Sequence, residues 1–137
     1  MNAREQSPGE LGMAEQLRSI RSNAELVIRT FAIETEFEFG YNEESVKWLD
    51  AYIEFVRVSD RTEEEFNQLV SNLGSFLGET IIRAFGGAWT LDQRGWAVRW
   101  DDFNLVYPFL KVSRQLKVGS TESIYSFYAV TGAMRRS

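Results

Sequence analysis

The chain of 137 residues has no cysteine and no histidine. Without cysteine there is no disulfide and no thiolate metal site, and a reducing compartment is allowed. Without histidine the commonest general base, the commonest zinc ligand and the side chain that titrates near neutral pH are all missing. Serines and threonines are present, but nothing in the inventory activates them in the usual way, and no Ser-x-x-Lys spacing occurs. No P-loop and no dinucleotide glycine fingerprint is found, so no cofactor is expected. No run approaches the roughly 20 apolar residues that span a bilayer. The first ten residues, MNAREQSPGE, are polar and lack the apolar core of a signal peptide. A cytoplasmic location and no membrane partner are the expectation.

What is present suits one folded domain. Hydrophobic residues make up 44% of the chain and aromatic residues 14%, enough for an independent core rich in Phe, Trp and Tyr. The formal net charge is −5, and it is unevenly spread. Residues 1–93 hold 17 acids and 8 bases, whereas residues 94–137 hold 3 acids and 7 bases. Overall acidity argues against nucleic acid and for a basic protein partner.

Residues 1–10 read as a flexible arm with a Ser7-Pro8-Gly9 breaker, and 11–137 as a single α+β domain. Leu17, Ile20, Ala24, Val27 and Phe31 recur at helical spacing. From Phe31 to Tyr41 apolar and polar residues alternate, which suggests extended chain after a helix ending near Thr35. Asn42 is a good N-cap, with Glu43 and Glu44 in the first turn of a second helix. Its buried face is Val46, Leu49, Ile53 and Val56, widened by Trp48, Tyr52 and Phe55. Thr62-Glu63-Glu64-Glu65 is a capping box. The third helix runs from it to Phe85 and stops at Gly86-Gly87. Gly74 and Gly78 each cost about 1 kcal/mol relative to alanine there, so another element should approach that face closely.

A three-stranded antiparallel meander follows, over Ala88–Leu91, Trp96–Trp100 and Leu105–Tyr107. Its turns are Asp92–Gly95 and Asp101–Asn104. Trp96, Val98 and Trp100 share one face and Arg99 the other. Pro108 to Gly119 brackets a helix, with a fourth strand as the alternative. Ser120 then caps a last helix carrying Ile124, Phe127 or Tyr128, Thr131 and Met134.

Three segments, YNEESVKWLDAYI (41–53), LGSFLGETIIRAFGGAW (73–89) and YPFLKVSRQLKVGSTESIYSFY (107–128), carry a pattern that resembles the DUF3806-type domains, an uncharacterised bacterial family. The matching positions are Ser45, Leu49, Asp50, Leu73, Gly74, Gly78, Glu79, Gly86, Gly87, Trp89, Pro108, Phe109, Lys111 and Val112. The resemblance covers roughly 41–128 and bears on the fold; it implies no activity. Small acidic domains of this kind often stand beside bacterial toxins as immunity or accessory proteins, an association only.

Three surfaces compete for function. The first is the acidic stretch Glu34, Glu36, Glu38, Glu43 and Glu44, with Asp50 and Glu54 beyond it and only Lys47 to offset it. If 34–38 is extended, its three glutamates stand on one face about 6.5–7 Å apart, fit to dock a basic partner. No ligand spacing there resembles a metal loop, and the plain alternative is a solvated face. The second is the Trp-rich sheet. Trp96 and Trp100 with Arg94 and Arg99, flanked by Trp89, Phe103 and Tyr107, would bind a small molecule or nucleotide if they are not simply core. The third is a carboxylate enzyme with Glu79 or Asp101 in a pocket; Glu79 and Arg83, four apart on a helix, read more simply as an ion pair. The leading expectation is a non-enzymatic domain that binds a basic protein through the acidic stretch, as a toxin-neutralising protein would. No catalytic or metal-ligating residue is assigned.

Overall fold

A computed structural model describes residues 8–136. The fold is α+β: α1 (Pro8–Ala32), α2 (Glu43–Val56), α3 (Glu63–Phe85), β1 (Ala88–Asp92), β2 (Gly95–Asp101), β3 (Asn104–Val106), α4 (Pro108–Val118) and α5 (Ile124–Arg136). Of the expected arm, residues 1–7 lie outside the described residues, and α1 begins at Pro8.

The local signals act as elementary chemistry dictates. The Asn42 side chain accepts the Ser45 N–H at 2.9 Å and starts α2. At α3 the box is complete: Thr62 Oγ1 accepts from Glu65 N at 3.0 Å, and Glu65 Oε1 accepts from Thr62 N at 2.8 Å. Gly86 and Gly87 stop that helix with φ of 82° and 92°, a region costly for any residue with a β-carbon.

α3 is the central element. It packs against α1, α4, α5 and β2, while α2 is covered by α4 and α5. Leu73, Phe76, Leu77 and Ile81 of α3 meet Ala24, Val27 and Phe31 of α1, Val46, Leu49 and Ile53 of α2, Val98 of β2, Val112 of α4 and Ile124 of α5 in one core. Each buried Val, Leu, Ile or Phe among them contributes about 1.5–3 kcal/mol relative to exposure. The glycines in α3 serve close packing: a β-carbon at Gly74 would run into Phe109, and one at Gly78 into the Trp89 ring.

The sheet is an antiparallel meander in the order β1-β2-β3, with Trp89 opposite Val98, Leu91 opposite Trp96 and Val98 opposite Val106. Gln115 of α4 is fully buried and satisfied. Its Nε2 donates to Glu54 Oε2 at 2.9 Å, and its Oε1 accepts from Ile124 N at 2.8 Å, so one side chain ties α2, α4 and α5.

Three details differ from expectation. α1 ends at Ala32, not near Thr35, and 33–42 form turns and bends with no strand. Thr35 explains this, since its one hydroxyl proton is shared between the Phe31 carbonyl at 3.2 Å and the Phe37 carbonyl at 3.1 Å, which curls the chain. Phe55 is 77% exposed and Met134 63%, so neither belongs to a buried face. Ser120 opens a short 3-10 turn, and the cap of α5 is Ser123, whose Oγ accepts from Ser126 N at 3.1 Å. Segment 108–118 is the expected helix, and the alternative of a fourth strand does not hold. Among the described residues no helix is long and apolar enough to cross a membrane.

Candidate functional site

The acidic stretch is built on the connection between α1 and α2. Phe39 is buried against Phe31, Trp48 and Phe76, with ring centroids 5.7, 5.6 and 5.3 Å away, and this anchors the middle of the connection. Side chains pin the rest. Gly40 N donates to Ser45 Oγ at 2.9 Å, and Asn42 Nδ2 donates to the Glu38 carbonyl at 3.2 Å. The phenylalanines turn inward and the glutamates outward. Glu34, Glu36, Glu38, Glu43 and Glu44 are all exposed.

The regular one-face spacing expected of a strand is absent, because 34–38 bends. Proximity arises differently. Glu38, Glu43 and Glu44 line a shallow depression with Asn42, Lys47 and Tyr125. Tyr125 donates its hydroxyl to Glu43 at 2.8 Å, which raises its pKa. None of the five glutamates takes part in an ion pair among the described residues. Along α2, Trp48, Tyr52 and the exposed Phe55 follow Glu44 on one helix side, Trp48 and Tyr52 stacking at 5.7 Å. Among the described residues no group of three or more acids is arranged to hold a metal ion.

The four residues expected to act together on the sheet divide into two pairs. Trp96 and Arg94 line a groove of about 930 Å³ between α1, the start of α3, the β1–β2 turn and the start of α4. Trp100 and Arg99 do not. Trp100 donates its indole N–H to the Phe85 carbonyl at 2.9 Å and packs on the core, with the Arg135 guanidinium 4.8 Å from its ring. Arg99 points the other way and pairs with Asp102. Phe103, 92% exposed, sits in the β2–β3 turn and lines no part of the groove.

In the groove, Trp96 Nε1 donates to Gln16 Oε1 at 2.7 Å and Tyr107 donates its hydroxyl to Asp92 Oδ2 at 2.6 Å. The Tyr107 hydroxyl, then the Arg94 N–H, hold the Asp92 carboxyl below its usual range; the same carboxylate raises Tyr107. Asn23 of α1 donates to Ser71 of α3 at 3.3 Å. Sequence reasoning named Tyr107 beside the Trp-rich sheet but passed over Asn23, Ser71 and Gln16. One signal was available: Asn23 lies between Ile20, Ala24 and Val27, a polar residue within an apolar stripe. Gln16 lies 80 residues from its indole partner and leaves no local trace.

The two carboxylates considered for catalysis sit in structural settings. Glu79 is 6% exposed and accepts from Trp89 Nε1 at 2.8 Å and from Arg83 at 3.3 Å. Asp101 accepts from Phe103 N and Asn104 in the exposed turn, and those bonds lower its pKa. Neither lines the groove. No family model, curated protein or solved structure matches the chain.

Proposed function

We propose that this chain is a non-enzymatic protein-binding domain whose acidic segment 34–44 meets a basic surface on another protein. The observation that carries the reading is the exposure of Glu34, Glu36, Glu38, Glu43 and Glu44 on a connection pinned from beneath, with no ion pair among the described residues to neutralise them. Carboxylates held this way keep their field for a partner and speed encounter. A pinned connection loses little conformational freedom on binding. Trp48, Tyr52 and Phe55 beside Glu44 supply the apolar centre that a stable contact needs, with the acids as its rim.

The mechanism is occlusion: the acidic rim covers a basic active site or groove. A toxin-neutralising or accessory protein in the bacterial cytoplasm fits this chemistry. The test compares the wild type with E36K/E38K/E44K as immobilised baits in a lysate of the source organism. The wild type is expected to retain one basic protein in stoichiometric amount and release it at about 0.5 M salt, where exposed charges are screened. The variant is expected to retain none of it while keeping its fold, since exposed substitutions cost within about 0.5 kcal/mol. Equal retention by both baits, or no specific retention by the wild type, refutes the reading.

A further inference from the structure

The groove beside α1 lies apart from the acidic segment; none of residues 34–44 lines it. Its walls differ in chemistry. One is aromatic, with the half-buried rings of Trp96, Tyr107 and Phe109. The other is helical and carries most of the polar groups, with Ser19 and Asn23 from α1 and Asn67 and Ser71 from α3 set around Ile20 and Val70. Its charges are balanced. Arg18 and Arg94 share the lining with Glu15, and the Asp92 carboxylate sits behind Tyr107 and the Arg94 N–H.

We propose that this groove binds a short, uncharged oligosaccharide. A pyranose ring presents an apolar C–H face and an edge of hydroxyls. The face suits an aromatic wall, and the hydroxyls exchange hydrogen bonds with amide and hydroxyl side chains that both donate and accept. The groove supplies the two on different walls. A nucleotide asks for cations left over to meet its phosphates, and here two guanidiniums stand with two carboxylates. A wholly apolar ligand would offer nothing to the Ser19 hydroxyl and the Asn67 amide, while Asn23 and Ser71 already bond each other.

The aromatic wall is set before any ligand arrives. The Gln16 bond fixes the Trp96 ring, which stands edge-on to Trp89 at 6.4 Å and 87°. The Asp92 bond fixes Tyr107. A wall fixed in advance loses little freedom on binding. The volume of about 930 Å³ lies at the upper end of the range for small-ligand sites, and the groove is open enough to admit a chain of rings.

Isothermal titration of the full chain with maltotriose, cellotriose and the N-acetylglucosamine trimer tests this, with AMP as the anionic aromatic comparison. At least one trisaccharide is expected to bind with a Kd of about 1 mM or tighter. Trp96→Ala is expected to weaken it about tenfold or more through lost stacking. Asn67→Ala, at an exposed position where the fold is not at stake, is expected to weaken it about threefold to tenfold. Three results overturn the proposal: no heat from any trisaccharide at about 10 mM, far above the Kd expected; binding unchanged in both variants; or AMP binding tighter than every trisaccharide and weakened by Arg94→Ala.

Discussion

Trp89 occupies the space that a β-carbon at Gly78 would need, and its indole N–H donates to Glu79, the next residue of the same helix, at 2.8 Å. The ring continues to Phe109, 5.6 Å away, which in turn covers Gly74. Two glycines one turn apart thus seat the first strand and the fourth helix on α3.

Gly78→Ala sets two effects against each other. Alanine favours the helix by about 1 kcal/mol, while overpacking costs about 1–3 and a displaced indole loses its bond to Glu79. A net loss of about 2–3 kcal/mol in urea denaturation is the expected outcome. Gly12→Ala is the control. Nothing lies within 4 Å of its β-carbon position in α1, so stability should hold or rise by a few tenths of a kcal/mol. Equal effects at the two sites would mean that Trp89 does not limit position 78.

Glu79 itself separates a hydrogen bond from an ion pair. Arg83 is half-exposed, so the pair contributes less than about 1 kcal/mol. Glu79→Ala leaves the Trp89 N–H without an acceptor and should cost about 1–3 kcal/mol. Glu79→Gln keeps an acceptor and should cost about 1 kcal/mol or less. A double-mutant cycle of Glu79→Ala with Trp89→Phe should return a coupling near 1 kcal/mol; a coupling of zero would show the bond to be idle.

Ser123 and Ser120 test the corrected helix start. Ser123 Oγ accepts from Ser126 N and donates to Asp50 Oδ1 at 3.0 Å, joining α5 to α2. Ser123→Ala should lower stability by about 1–2 kcal/mol, and Ser120→Ala, at an exposed turn, by less than about 0.5. The reverse order of midpoints would restore Ser120 as the cap.

Stability against pH should be a plateau with two edges. Asp92, Asp101 and Glu122 have pKa values lowered in the fold, Glu122 by its bond to Lys111. Stability from these groups is present above their unfolded values, near pH 4, and is lost as pH falls through the folded ones. Tyr41 is raised by burial first and then by its bond to Glu25, and Tyr128 by burial. Their stability is present below pH 10 and is lost as pH rises through the folded values. With no histidine or cysteine between, the midpoint should be flat from about pH 5 to 9. A step near pH 6.5 in a thermal scan would contradict this.

What could be read in advance was what local chemistry decides. Asn42, Thr62 with Glu65, Gly86-Gly87 and Pro108 mark element ends because a cap or a breaker acts within a few residues. The glycine pair in α3 announced close packing, though not by which ring. The segment 31–41 misled because alternation of period two also arises when a bend is pinned by inward aromatics. Phe37 and Phe39 face the core from a curled chain, and the hydroxyl of Thr35 curls it. The groove was legible only in part. Trp96 and Arg94 stood out by type, but Asn23 and Ser71 come together across 48 residues by the docking of α1 on α3. Gly74, Gly78, Glu79, Trp89 and Phe109 join through contacts of the two rings, so the pattern these residues make in the sequence specifies packing and is silent on activity.

The junction of α2 with α5 also sets an order in time. Asp50 and Ser123 are 73 residues apart, and Ile124 and Tyr128 belong to the same core as Val46 and Leu49. A ribosome adding 5–20 residues per second needs roughly 4–15 s to bridge that distance. Through that interval the flank of α2 that α5 will cover stands open to water. A nascent chain halted before Ile124 should therefore be protease-sensitive and sticky, and it should become resistant once the last helix has emerged.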